Sequence, residues 1–184
     1  MWLPLVTAST AVGALLWYRR AGRAIGPLLM FVGASVALDA VLSGYAHAAA
    51  THDLPGAAWA GWLFQSAIGL AAAVYLILQL FPTGAPLTPR WRALVWITVG
   101  AIALSVVAPA LGVTADFTRN FPAVVHPVQL ISPSLADALV SVGGLASALV
   151  FLASAVELVL RFRRSTGLER AQMKWFTGAS AVAA

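Results

Sequence analysis

Four side chains in this sequence have chemistry beyond filling space: Asp39, Gln65, Glu157 and Arg161. Asp39 interrupts an apolar run over 25–50, about 21 Å along a helix begun at Ile25. A carboxylate at that depth costs about 2.5–3.5 kcal/mol to place in hydrocarbon, so it should face other helices and be protonated or hydrogen-bonded. Ser35 and Ser43, four residues to either side, extend it into a polar stripe. Two readings follow. Asp39 is either a proton- or ligand-sensitive switch, or one end of an interhelical hydrogen bond to a group at similar height such as Gln65. Glu157 and Arg161 stand four apart in the favourable order, which predicts an ion pair near the inner end of a helix.

Other chemistries find little support. The chain has no cysteine, which removes thiolate catalysis, disulfides and thiolate metal sites. Its three histidines, His47, His52 and His126, are scattered, and none stands in a run resembling a phosphoacceptor helix. His52 beside Asp53 offers two potential ligands, which do not define a metal site. There is no glycine-rich phosphate loop. No catalytic residue, metal or resident cofactor is expected in this chain.

The elements that position these residues are apolar runs. With 61% hydrophobic and 9% charged residues over 184 positions, the chain cannot cover a soluble surface. Continuous, non-alternating apolarity rich in Ala and Leu points to helices rather than a barrel. The runs are 2–18, 25–50, 57–80, 93–111 and 135–160, each long enough for a hydrocarbon core of about 30 Å. A last run, 175–184, reaches only about 15 Å. We therefore expect an all-α, polytopic membrane domain over 1–184, with five transmembrane helices and the start of a truncated sixth. A longer parent protein is expected with it.

Sidedness follows from the basic residues. Arg19, Arg20 and Arg23 follow the first run, Arg90 and Arg92 precede the fourth, and five more lie within 161–176. The alternate loops carry one, Arg119. The positive-inside rule then places the N-terminus outside and the basic loops in the cytoplasm of a multi-pass cell-membrane protein. The net charge of +5 is explained by this placement, and nucleic acid is not expected as a partner.

Local signals refine the picture. Thr88 and Pro89 read as the cap and first position of a helix, and Ser134 with Asp137 has capping-box spacing at the start of the fifth run. Thr166 with Glu169 repeats that spacing within the last basic loop. Phe117, Phe121, Val124 and Val125 predict an outer loop that packs on the bundle. Gly69 with Ala73, and Gly144 with Ala148, would permit close helix approach.

Two inner loops carry a resemblance. LFPTGAPLTPRWR at Leu80–Arg92 and RFRRSTGLERAQMKWF at Arg161–Phe176 are similar to loops in the N-terminal membrane region of actinobacterial two-component sensor histidine kinases. The match covers Leu80, Phe81, Pro82, Gly84, Arg90, Trp91 and Arg92, with Thr88 where serine is usual. It continues at Arg161–Ser165, Gly167, Glu169, Arg170, Gln172, Lys174 and Trp175. The resemblance implies a sensory input region in the lipid bilayer, a homodimer, and a downstream kinase core working with ATP, Mg and a cognate response regulator. None of that core lies in these residues. The alternative is a small integral membrane or transporter-like protein without a signalling role, in which broken helices and polar groups would converge at mid-membrane.

Overall fold

The computed structural model describes residues 3–19, 24–52, 54–167 and 170, and contains helices and turns but no strand among them. The apolar runs become α1 (Leu3–Tyr18), α2 (Ile25–His52), α3 (Ala57–Ala67), α4 (Val74–Leu80), α5 (Arg92–Leu111) and α7 (Pro133–Arg164), with a short α6 (Ala115–Asn120) between the last two. Among the described residues, three helical segments are long and apolar enough to cross a membrane: Ile25–Ala49, Pro89–Leu111 and Pro133–Arg164. The 175–184 run, and Glu169 of the Thr166–Glu169 pair, lie outside the described residues.

The third run differs from its expectation as one helix. Between α3 and α4, Ile68–Ala73 winds as a 3₁₀-helix. Side chains three apart eclipse in that geometry. The segment IGLAAA is mostly small residues, so eclipsing costs little there. Despite the break, this run is the centre of the bundle, with α2, α5 and α7 all packed against parts of it.

α1 packs on α2 through glycine rather than through interlocking large side chains. A Cβ on Gly13 would stand 2.7 Å from the Gly26 carbonyl oxygen and 2.9 Å from the Met30 nitrogen. One on Gly33 would collide with the Thr10 and Ser9 hydroxyls. Small residues that let backbones touch are how helices associate without a hydrophobic driving force. The small pairs singled out in the sequence do not include these; Gly144 has open space around it.

The loop after α5 closes the end of the bundle opposite the basic loops. Phe117 and Phe121 are buried with Ala46 and Ala60, and Phe64 and Val124 pack against them, whereas Val125 is 77% exposed. Gly61 leaves the room: a Cβ there would lie 3.3 Å from both rings. Thr114 caps α6 by accepting from the Phe117 N–H at 3.1 Å. Asp137 accepts from the Ala115 N–H at 2.8 Å. Asp137 thus ties α6 to α7 instead of capping its own helix, where Ser132 accepts from the Leu135 N–H and Pro133 takes the first position. The terminal carbonyls of α5, left without intrahelical donors, are also taken up. Pro109 O meets His126 Nε2 at 3.2 Å, Ala110 O accepts from Trp62 Nε1 at 2.9 Å, and Leu111 O accepts from the Leu130 N–H at 2.8 Å.

At the other end, the start of α2, the 81–87 loop and the end of α7 come together. A Cβ on Gly84 would lie 3.3 Å from that of Ala24, and Arg161 reaches the loop directly. Thr88 occupies the cap position of the Pro89–Trp91 turn, but its side chain makes no capping hydrogen bond.

The polarity of the bundle is reversed from that of a soluble protein. Gln79, Thr98, Ser154 and Glu157 are fully buried, while Leu145, Leu149, Leu152 and Val156 face outward on α7. An apolar exterior of this extent fits a lipid solvent.

Gly13→Leu should overpack the α1–α2 contact and destabilise the chain by about 1–3 kcal/mol, whereas Gly100→Leu, which meets open space, should be near neutral. Thermal unfolding of both variants in detergent micelles checks this.

Candidate functional site

Three polar places stand out in the apolar bundle. The most developed is built on α7, where Ser154, Glu157 and Arg161 are spaced three and four apart and share one face. Glu157 is 0% and Arg161 4% exposed. Their ion pair is present, but at 3.3 Å it is the longest contact Arg161 makes. The guanidinium Nη2 also donates to the Gln79 and Ala85 carbonyls at 2.9 Å, and Nη1 to Thr83 Oγ1 at 3.2 Å. Glu157 Oε1 accepts from the Leu87 N–H at 3.0 Å. The pair read from sequence as an interfacial i,i+4 contact is therefore a buried clamp on the loop between α4 and α5.

The local sequence makes that loop a suitable target. Pro82 and Pro86 lack an N–H, and Gly84 takes φ 79° with its N–H on the Leu80 carbonyl, so the loop has few donors of its own and Ala85 O receives only the Thr83 hydroxyl at 3.4 Å from within it. A guanidinium presents its donors in a planar fork suited to several oxygens at once.

Gln79 extends the clamp into the bundle. Its Nε2 donates to Thr98 Oγ1 at 2.7 Å and to Ser154 Oγ at 2.9 Å, joining α4, α5 and α7. Each hydroxyl passes its own proton to a carbonyl four residues back. Sequence reasoning passes over Gln79 because an amide one residue from the end of an apolar run reads as interfacial. Gln79 Oε1, Glu157 Oε2 and Arg161 Nε are buried without hydrogen-bond partners. Two acceptors and one donor are thereby uncommitted at the centre of the network.

The second place is a cavity of about 280 Å³ near the end opposite the clamp, walled by α3, α5, α6 and α7. Gln65 and Ser105 line it, with Asp116 and Asn120 on the loop side and Val140 and Gly144 on α7. Gln65 is 7% exposed and makes no hydrogen bond among the described residues.

The third is Asp39, whose Oδ1 is buried and unpaired. The structure does not join it to Gln65. In the stripe around it, Ser35 donates to the Phe31 carbonyl of its own helix. The histidines do not converge. His126 is buried against Phe117 with its Nδ1 accepting from the Val128 N–H, so Nε2 is the protonated nitrogen facing Pro109 O. His47 contacts the Ser43 carbonyl of its own helix, and His52 is exposed. Asp53 lies outside the described residues. Among those residues, no three His, Asp or Glu side chains gather where a metal could bind.

The fold and these sites define an all-helical bundle of membrane character, with a polar clamp at its basic end and a lined cavity at the other. No protein-family model matches the chain, and neither a curated protein nor a solved structure matches it.

Arg161→Met should strand the Glu157 carboxylate in a buried setting and cost about 3–5 kcal/mol, whereas the double variant Glu157→Leu/Arg161→Met should recover much of that loss. Equilibrium unfolding in mixed micelles measures both.

Proposed function

We propose that this chain is the membrane-embedded input region of a two-component sensor histidine kinase. In this reading it crosses the membrane five times, with the N-terminus outside and the basic loops in the cytoplasm. The observation that carries the reading is a contact. The two loops that bear the resemblance are far apart in sequence, yet Arg161 of one holds Thr83 and Ala85 of the other, with Glu157 one turn earlier on α7 accepting from the Leu87 N–H. Two similar strings that meet in one structure support the resemblance better than two isolated ones.

The mechanism this supports is displacement rather than catalysis. α7 runs unbroken for 32 residues, about 48 Å, from the outer loop past the cavity to the clamp. A stimulus that moves its outer half relative to α3 and α5 is felt at the 81–87 loop, because Arg161 grips that loop's backbone. In a dimer, that shift would bias a kinase core between two arrangements. Phosphoryl transfer, with its ATP and Mg, and docking of the response regulator belong to that core.

The sidedness rests on the same geometry. Among the described residues Arg19, Arg90, Arg92, Arg161, Arg163, Arg164 and Arg170 gather at one end of the bundle, and Arg119 at the other.

A second reading keeps one specific observation in its favour. The 3₁₀ break at Ile68–Ala73, between Gln65 and Gln79, is the kind of interrupted helix around which transporters build a substrate path. The reading frame beyond Ala184 separates the two. A phosphoacceptor histidine helix followed by an ATP-binding domain supports the kinase, and a stop after one more helix sinks it.

In the full-length protein reconstituted in vesicles, Thr83→Ala with Ala85→Pro should loosen the clamp and change autophosphorylation severalfold at unchanged expression. Unaltered phosphorylation would remove the clamp from signalling. For sidedness, the cysteine-free chain allows single reporters: Val125→Cys should react with a membrane-impermeant maleimide from outside intact cells, and Ala85→Cys only after lysis.

A further inference from the structure

The cavity at the outer end has features that a packing defect would not have. Gln65 descends from α3 about 12 Å below Ala57 and brings an amide with no protein partner to its wall. That amide opens onto the cavity, so a ligand there can take up its donors and its acceptor. Opposite it, Pro109 stands inside α5. Proline has no N–H, so the Ser105 carbonyl, four residues back, loses its regular donor. Ser105 and Pro109 both line the cavity. The Ser105 hydroxyl proton is committed to the Ala101 carbonyl at 2.9 Å, which leaves its oxygen as an acceptor.

Several acceptors, on Gln65, Ser105, Asp116 and Asn120, are thus set into a largely apolar lining. It holds one formal charge, the Asp116 carboxylate, and no Lys or Arg. Asp116 stands at the mouth, 54% exposed and paired at 2.9 Å with Arg119, whose side chain is 76% exposed and is not part of the wall. At about 280 Å³ the space is at the small end of ligand pockets.

We infer that this cavity is a binding site for a small organic amine, with the ammonium toward Asp116 and its N–H groups shared among Gln65, the Ser105 carbonyl and Asn120. Anions are disfavoured there, since nothing cationic faces inward. Apolar Val140 and the bare Gly144 on α7 leave room for a short carbon chain and no more. Occupancy would bridge α3 and α5 to α7, the helix that carries the clamp at its far end. Binding itself is a property of this chain and stands whether or not a kinase core follows it.

The test uses the cysteine-free chain in lipid nanodiscs, where both faces are accessible. Ser105→Cys reports the cavity and Val125→Cys, on the exposed outer loop, normalises intrinsic reactivity; Val140→Cys serves as a second cavity reporter should the first variant misfold. The 2-aminoethyl methanethiosulfonate reagent should modify the cavity thiol about tenfold faster than the 2-sulfonatoethyl reagent after normalisation. Ethanolamine should slow that reaction and acetate should not. Adding Gln65→Leu, or Pro109→Ala, which restores an N–H to the helix, should weaken ethanolamine protection about tenfold, the effect of about 1.4 kcal/mol, at an unchanged thermal midpoint. Equal normalised rates for the two reagents, or protection that survives Gln65→Leu, would overturn the assignment.

Discussion

The grip of Arg161 on main-chain oxygens is the constraint that organises the basic end of this protein. A guanidinium taken out of water has to be matched on several sides, and one carboxylate at 3.3 Å does not do it. The remaining partners are the Gln79 and Ala85 carbonyls and the Thr83 hydroxyl, so α4, the loop after it and α7 are fixed as a unit. Because the contacts are mostly to backbone, the loop residues matter for the turn they impose. Pro82, Gly84 and Pro86 hold carbonyls outward where a side chain from another helix can collect them.

The two ends of the bundle solve the same difficulty differently. Helix termini expose polar groups that hydrocarbon cannot satisfy. At the basic end a charged pair does so; at the opposite end neutral donors do, with Trp62, His126 and the Leu130 amide on the last carbonyls of α5. Between them the bundle is held by backbone proximity at Gly13, Gly26 and Gly33 and by the single amide of Gln79. Ile77 and Val150 are buried there too, but most of the large apolar side chains of α7 face the exterior.

Much of this was legible in the residues. Apolar runs set the helix ends to within a few positions, because hydrophobic length is a property of local sequence. The Glu157–Arg161 spacing gave their pairing, and Phe117 and Phe121 gave the packed outer loop. The clamp was not legible, since what Arg161 reaches depends on a loop some eighty residues earlier. Asp137 had the right spacing for a cap and went instead to Ala115, a partner that only the fold brings near. Gln79 has no neighbouring polar residue in sequence to reveal its role. The glycine contacts of α1 and α2 were missed for a related reason: small residues are common in such helices, and which of them meet is decided by packing.

The 3₁₀ segment at Ile68–Ala73 has a geometric consequence for everything on either side of it. Each of its residues rises about 2.0 Å and turns about 120°, against about 1.5 Å and 100° in an α-helix. Over six residues the difference is about 3 Å of length and about a third of a turn. Gln65 and Gln79 are thus phased against one another by a spring of fixed pitch, and rewinding it would shorten the central rod and swing one amide out of step with the other.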